Sequence, residues 1–275
     1  MSQNIPRYAV IGNPIGHSKS PFIHAQFAKQ TGITMEYTAE RVEIGQLEAF
    51  IQQFAEHDGR GLNVTVPFKE DAFQLANHLS QRAQRAGAVN TLSIKEDGLH
   101  GDTTDGIGLL NDLIHNHQQN LKNRSILVLG AGGAVRGVLE PLLKESPSQL
   151  LIANRTVSRA HQLANDFACS GNISGCGFDE LAGRQFDIII NGTSASLSGE
   201  LPPLPEQLFK PGACAYDMMY AAQATVFMQW AEKQGAENIY DGLGMLVEQA
   251  AESFYIWHNI RPQTQNVIQT LRQQL

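Results

Sequence analysis

Between Arg124 and Arg159 the chain passes through a short apolar run, Ile126-Leu127-Val128-Leu129, then Gly130-Ala131-Gly132-Gly133-Ala134-Val135, a helical segment, and a second apolar run ending in Asn154-Arg155-Thr156. Strand, glycine turn, helix and strand in that order predict the nucleotide-binding unit of a Rossmann-type domain. The turn needs glycines because the backbone reverses within a few residues and must let a pyrophosphate approach with no Cβ in the way. The first free N–H groups of the next helix then face that anion. The spacing departs from GxGxxG: Gly130, Gly132 and Gly133 are present, Ala134 to Arg136 hold no third glycine in register, and Gly137 lies deeper, where it permits close packing on the strand. A tight turn with no ligand would use the same residues, so both readings stand at this point.

In such a unit an acidic residue about 20 positions after the turn usually binds the adenine ribose, and its charge would repel a 2′-phosphate. No Asp or Glu ends the second strand here; Asn154, Arg155 and Thr156 are followed by Ser158 and Arg159. Guanidinium groups grip phosphate bidentately and keep their charge at any working pH. NADP is therefore expected over NAD. The competing reading is that Arg155 and Arg159, four residues apart, form one solvated helix face.

The rest of the chain has to supply a substrate. With 275 residues, 42% of them hydrophobic and 17% charged, it can bury a large core and has room for one large or two smaller domains. A net charge of −7 argues against a surface that condenses on nucleic acid or anionic lipid. The expected partner is a small molecule. Cys169, Cys176 and Cys214 form no CxxC pair, which suits a reducing compartment and gives no metal site. The first seven residues are polar and the longest apolar runs are far too short for a bilayer, so a cytoplasmic location is expected.

Taken in order, Tyr8 to Gly12 predict a buried first strand, broken by Asn13-Pro14 and Gly16. A helix follows, with Ser20 as N-cap, Pro21 at the first helical position, Ile23 and Phe27 facing the core and Gly32 at the end. Capping alone accounts for Ser20; Ser18 and Ser20 together, beside free N–H groups, equally make a seat for a carboxylate. A strand is expected over 36–42 and a helix over 44–57, with Leu47, Phe50, Ile51 and Phe54 on one face. Alternation then turns Leu62, Val64 and Val66 to one side and Asn63 and Thr65 to the other. Pro67 starts a helix running to about 79 that carries Lys69 in its first turn, where the dipole disfavours a cation. An unfavourable position of that kind points to function.

A polar helix with Arg82 and Arg85, a strand over 87–92, and a turn flanked by Gly98 and Gly101 come next. The loop 101–106 leads into a helix over 107–114 and is of the kind that carries ligands in open α/β sheets. Asp102 and Asp105 also read as helix caps. His115 and His117, two apart, share no helix face and make no metal site. Beyond the nucleotide unit, a buried strand over 186–190 runs into the polar turn Asn191-Gly192-Thr193-Ser194, which either lines the cofactor cleft or is a plain turn. A strand over 213–216 precedes Asp217-Met218-Met219-Tyr220. Asp241-Gly242-Leu243-Gly244 opens a helix with Leu243, Leu246, Ala250, Phe254 and Trp257 on one stripe, and Val267, Ile268 and Leu271 lie on a final helix.

Gly12-Asn13-Pro14 with Ser18-Lys19-Ser20-Pro21, the block Asn63 to Lys69, Gly87-Ala88-Val89-Asn90-Thr91, Asp102 to Gly106, Asn154-Arg155-Thr156, Tyr216-Asp217-Met218 and Asp241 to Leu246 closely resemble the shikimate dehydrogenases. The resemblance covers nearly the whole chain, in order. It implies reduction of 3-dehydroshikimate to shikimate by NADPH, a step of aromatic amino-acid biosynthesis. The implied fold is two α/β domains with a cleft between them: a substrate domain over 1–105 completed by helices in 242–275, and a Rossmann-type NADP-binding domain over 106–241. It places the substrate carboxylate at Ser18 and Ser20 and the ring hydroxyls near Asn63, Thr65, Asn90, Asp105, Tyr220 and Gln249, with Lys69 and Asp105 as the catalytic pair. The cofactor would meet Gly130, Ala131, Gly132, Gly133 and Ala134, then Asn154, Arg155, Thr156, Ser158 and Arg159, the Asn191 and Thr193 turn, Met218, Gly242 and Gln81. Val135, and Gly192 with Ala195-Ser196, depart from the family pattern on the cofactor side.

The chemistry agrees with these residues. Hydride addition to a ketone leaves charge on its oxygen, so the site needs a proton donor within hydrogen-bond reach. Lys69 can give that proton while Asp105 orients it and binds a neighbouring hydroxyl; no metal is required. A quinate/shikimate dehydrogenase using NAD is the alternative enzyme, and the arginine pair argues against it. A non-catalytic nucleotide sensor would have no use for both Lys69 and Asp105. Either a monomer or a homodimer is compatible with the sequence.

Overall fold

Tyr8, Ala9, Val10 and Ile11 are all buried, as an unbroken apolar run requires of a strand covered on both faces, and they form β1 (Arg7–Gly12). The computed structural model describes residues 5–193, 195 and 199–275; Ser194 and Ser196 of the cofactor-side turn lie outside the described residues. The chain divides into two units, Met1–Gly108 with Val247–Gln269 and Leu109–Leu246 with Thr270–Leu275.

In the first unit β1 is followed by α1 (Ser20–Thr31), β2 (Glu36–Arg41), α2 (Leu47–Glu56), β3 (Gly59–Val64), α3 (Lys69–Leu75), β4 (His78–Leu79), α4 (Gln81–Ala86), β5 (Thr91–Lys95), β6 (Gly98–Asp102) and α5 (Asp105–Asn111). The sheet has the order β2-β1-β3-β5-β6-β4. Its first three strands are parallel, and the β5–β6 hairpin joins β3 antiparallel. Ala9, Ile11, Leu62, Val64 and Leu92 pack with Ile51 and Phe54 into one core, each fully buried Leu, Ile or Val side chain contributing about 1.5–3 kcal/mol.

Several local expectations shift. Lys19, not Ser20, is the N-cap of α1, with no side-chain cap bond; the Ser18 hydroxyl accepts from the Ser20 N–H at 3.3 Å. Val66 does not join the buried face of its strand: β3 ends at Val64 and Val66 is 63% exposed. Helix α3 stops at Leu75 rather than near 79, because Asn77 is drawn to β6, donating its N–H to the Leu99 carbonyl at 2.8 Å and accepting from the Leu99 N–H through Oδ1 at 2.8 Å. Residues 87–90 are not strand. Gly87 caps α4 in the left-handed region at φ 63, and the Val89 N–H donates to the Lys69 carbonyl at 2.9 Å. Gly101 lies inside β6, and α5 begins at Asp105 rather than 107.

The second unit runs β7 (Ser125–Leu129), α6 (Gly133–Lys144), β8 (Gln149–Ala153), α7 (Val157–Asp166), β9 (Ile173–Cys176), β10 (Phe186–Asn191), β11 (Phe209–Asp217), α8 (Val226–Lys233) and β12 (Asn238–Asp241). Its sheet is wholly parallel, in the order β12-β11-β10-β7-β8-β9. That is the doubly wound order, and the chain reverses direction across the sheet between β7 and β10, where such folds bind ligands. Both faces are covered: Ile126, Val128, Ile188 and Ile190 point into one core, and Leu127, Leu129, Ile189 and Ala215 into the other. Helices α9 (Leu243–His258) and α10 (Gln265–Gln273) close the chain. Among the described residues no helix is long and apolar enough to cross a membrane.

Candidate active site

Lys69 opens α3 and Asp105 opens α5, and Val89 and Asn90, between them in sequence, tie the start of α3 to the strand that leads into α5. The Val89 N–H reaches the Lys69 carbonyl, and the Asn90 N–H reaches the Asp102 carbonyl at 3.0 Å. Lys69 Nζ donates to Asp105 Oδ2 at 2.6 Å, the short length of a charge-assisted bond. Asn90 Nδ2 donates to the other oxygen, Asp105 Oδ1, at 2.8 Å. The Asn90 carboxamide is itself fixed, accepting through Oδ1 from the Thr104 N–H at 2.9 Å and from the Thr91 hydroxyl at 2.8 Å. Both charged side chains keep some exposure, 25% for Lys69 and 14% for Asp105. An ammonium so held can deliver a proton to an oxygen and recover it.

Asn63 extends the network. It is buried, accepts from the Tyr37 hydroxyl at 2.7 Å, and donates through Nδ2 to the Ser253 hydroxyl at 3.0 Å. Ser253 in turn bonds Thr91 at 2.8 Å. Gln249 lies one turn earlier on α9, with Oε1 3.4 Å from Asn90 Nδ2. Ser20 is buried next to Tyr37, whose hydroxyl burial holds protonated, and Ser18 and Thr65 are half-buried. His24 stacks on Tyr37 at 4.1 Å, and burial keeps it neutral, its pKa pushed down to about 3. In the second unit, burial and the nearby Asp241 raise the pKa of the half-buried Tyr220, so its hydroxyl stays a donor.

Several supporting residues escaped the sequence reading: Tyr37, Thr91, Thr104, Ser253 and Arg82. Ser253 left a trace, since Gln249 and Ser253 are polar residues four apart on one face of α9; Tyr37 left none. Asp102 is not a helix cap. It lies in β6 and takes a bidentate bond from Arg82, Nε to Oδ1 at 2.6 Å and Nη2 to Oδ2 at 3.0 Å, while Arg82 Nη1 reaches Glu252 at 3.0 Å. This ion-pair cluster holds the strand that leads into Thr104 and Asp105.

On the second unit, Gly130 takes φ +103 between β7 and α6, a conformation only glycine adopts freely. A Cβ there would also stand 3.2 Å from the Gly192 carbonyl oxygen, so the β7 and β10 turns touch at the point where the strand order reverses. A Cβ at Gly132 or Gly133 would meet nothing within 4 Å. These two, with Ala134, are exposed at the start of α6, which has no side-chain cap. Unfilled space in front of uncapped N–H groups fits a pyrophosphate. Asn191 is buried and its side chain is committed to Asp217 at 3.0 Å and to the Thr193 hydroxyl at 2.7 Å, so it shapes the turn from behind. A Cβ on Gly242 would collide with the Met218 backbone, which keeps β12 and the 217–219 turn in contact.

Val135 and Gly192 meet in one feature: a Cβ on Gly192 would overlap the buried Val135 Cγ2 and press on Met218 Sδ at 3.1 Å. Gly192→Ala is therefore expected to destabilise by about 1–3 kcal/mol. Combined with Val135→Ala it should cost less than the sum of the single changes in a denaturant double-mutant cycle; simple additivity would show that the two positions are independent.

At the end of β8, Arg155 and Arg159 are exposed, as are Thr156 and Ser158, and no described carboxylate pairs with either guanidinium. Arg136, by contrast, is bound to Asp166 at 2.6 Å. Asn154 donates to the Thr156 carbonyl at 3.0 Å and shapes the loop. Two unpaired cations beside the strand end suit a phosphate better than a ribose alone. Gln81 is exposed at the start of α4 in the first unit.

Comparison with known proteins bears on the whole length. Residues 10–92 match the shikimate dehydrogenase substrate binding domain, residues 112–198 the shikimate / quinate 5-dehydrogenase family, and residues 242–272 the shikimate 5′-dehydrogenase C-terminal domain. The shikimate dehydrogenase (NADP(+)) of Cellvibrio japonicus is 57% identical over 269 residues, covering 98% of this chain and 97% of its own. An Ael1 enzyme from Pseudomonas putida is similar in structure, with a TM-score of 0.93 at 46% identity over 97% of this chain and 98% of that one. The shikimate 5-dehydrogenase of Thermus thermophilus, solved in complex with NADP(H) and shikimate, has a TM-score of 0.88 at 31% identity over 98% of this chain and 100% of its own. With both units, the Lys69–Asp105 pair and the glycine turn inside these matches, the chain belongs to the shikimate dehydrogenase family.

Proposed function

We propose that this chain catalyses the reversible, NADPH-dependent reduction of 3-dehydroshikimate to shikimate. The observation that carries the reading is the Lys69–Asp105–Asn90 chain of hydrogen bonds, a proton donor held in place within a member of this family. Bound NADPH supplies the hydride. Lys69 gives a proton to the carbonyl oxygen as charge develops there, so hydride and proton together complete the alcohol; in reverse the lysine takes the proton back. Asp105 orients the ammonium and accepts from the neighbouring ring hydroxyl. Asn63, Thr65, Asn90, Gln249 and Tyr220 bind the ring hydroxyls, and the Ser18 and Ser20 hydroxyls take the carboxylate.

Residues 1–105 with 242–275 serve as the substrate domain and 106–241 as the NADP-binding domain. Gly130 to Ala134 would hold the pyrophosphate of NADP and Asn154 to Arg159 its 2′-phosphate, with Thr193, Met218, Gly242 and Gln81 toward the remainder of the cofactor. The enzyme works in the cytoplasm as a monomer or homodimer, and the hydride and proton transfer requires no metal.

The test is to incubate the purified chain with shikimate and NADP and follow formation of the reduced nicotinamide, then repeat with quinate and with NAD. Turnover with shikimate and NADP, exceeding the other combinations by about tenfold or more in kcat/KM, a difference of about 1.4 kcal/mol, is the expected result. No reduction of NADP with shikimate would refute the assignment, and equal efficiency with quinate and NAD would move it to the broader quinate/shikimate activity.

A further inference from the structure

At the far edge of the first sheet, His78 on β4 and His100 on β6 are register partners. Their rings lie 4.5 Å apart. Asp97, in the turn of the β5–β6 hairpin, faces both: its Oδ1 is 2.9 Å from His100 Nε2 and its Oδ2 is 3.8 Å from His78 Nε2. One ligand atom from each of the three falls within 4.8 Å of the others. We propose that His78, Asp97 and His100 form a binding site for a divalent transition-metal ion of the zinc, nickel or copper class.

The donor set decides the class. Two imidazoles and one carboxylate match borderline ions such as zinc, nickel and copper, whereas calcium and magnesium ask for oxygen ligands. The distances are within reach of closure. Tetrahedral ligands at about 2.0–2.1 Å from zinc are about 3.3 Å apart, so the donors farthest apart must approach by up to about 1.5 Å. All three side chains are at least partly exposed, 52%, 63% and 28% for His78, Asp97 and His100, and small χ rotations supply that movement.

The backbone beneath is organised to keep the three together. Gly98 takes φ +125, and a Cβ there would stand 2.7 Å from Asn77 Oδ1. That same oxygen accepts the Leu99 N–H, which fastens the residue before His78 to the hairpin that carries Asp97. A plain ion pair accounts for His100 with Asp97. His78 brings a second imidazole to the same residue, its Nε2 3.3 Å from the Asp97 carbonyl oxygen and 3.8 Å from Asp97 Oδ2. Three protein ligands leave positions for water, the pattern of an open site. An ion there would pin the two-residue strand β4, which leads directly into the α4 helix bearing Arg82.

The experiment titrates the full chain, freed of metal with a chelator, with Zn²⁺ alone and compares wild type with His78→Ala, His100→Ala and Asp97→Asn. One saturable equivalent is expected for wild type. Each histidine change should weaken it by at least about 10–100-fold, since even outer-shell changes cost that much at metal sites, and Asp97→Asn should weaken it less. Zn²⁺ should also raise the melting temperature of wild type, reversibly with chelator, and leave that of the His78→Ala/His100→Ala double variant unmoved. The melting temperature of each variant without metal shows that it is folded. Absence of saturable binding by wild type, or an unchanged equivalent in the double variant held by other exposed histidines such as His17, His57 and His161, would overturn the proposal.

Discussion

Lys69→Ala is expected to lower turnover with shikimate and NADP by about 10²-fold or more, the scale of general acid–base work, with modest change in KM. Among the described residues the lysine side chain bonds Asp105 alone, at 2.6 Å, and it keeps a quarter of its surface exposed. Removing it therefore takes away a proton donor and little packing, and the melting temperature should hold. Steady-state kinetics in both directions separate the outcomes: a fall in kcat identifies an interaction made in the transition state, a rise in KM alone identifies uniform binding. Unchanged turnover would reduce the lysine to an ion-pair partner of Asp105. Asn90→Ala should follow Lys69→Ala in direction, because Asn90 bonds the second oxygen of the same carboxylate.

Arg155→Ser with Arg159→Ser is expected to reduce kcat/KM for NADP by about 10²-fold or more while leaving that for NAD within about threefold. Hydrogen bonds to charged groups are worth about 1.5–3 kcal/mol each, and every 1.4 kcal/mol is about tenfold, so one bond lost per arginine reaches that figure. Neither guanidinium has a described carboxylate partner to lose, and both are exposed, so the fold should not register the change. Parallel measurements with the two cofactors are the check. Equal losses for NADP and NAD would mean that the arginines hold the adenosine half in general and do not read its phosphate.

The two predictions rest on different kinds of legibility. The arginines could be read from local spacing: a glycine turn, a helix and a strand bring residues 154–159 beside the adenosine end of any dinucleotide on this fold. The buried runs of β7, β8 and β10 were equally plain, because a parallel strand covered on both faces must be apolar at every position. Lys69 was conspicuous only as a cation at the wrong end of a helix, and its role came from the family resemblance. Val66 shows the limit of alternation, since the pattern continued past Val64 while the strand did not. Capping misled at Ser20 and Asp102: the same side-chain oxygen that satisfies a helix N–H can satisfy a neighbour or an arginine.

By itself, then, the sequence determined the β7-α6-β8 unit, the parallel second sheet, the glycine turn and the cations that follow it, because each is dictated by residues within one or two turns of chain; β4, β6, β9, α8 and β12 were not read from it. Only the tertiary structure decided that Asn63 would meet Ser253, 190 positions away, that Asp105 would close on Lys69 through Asn90, and that Gly192 has no Cβ because Val135 occupies its place. Those contacts depend on which strands pair and which helix starts converge. The donors and acceptors involved are ordinary polar residues whose partners are chosen by proximity in space, and nothing in their immediate neighbours records that choice.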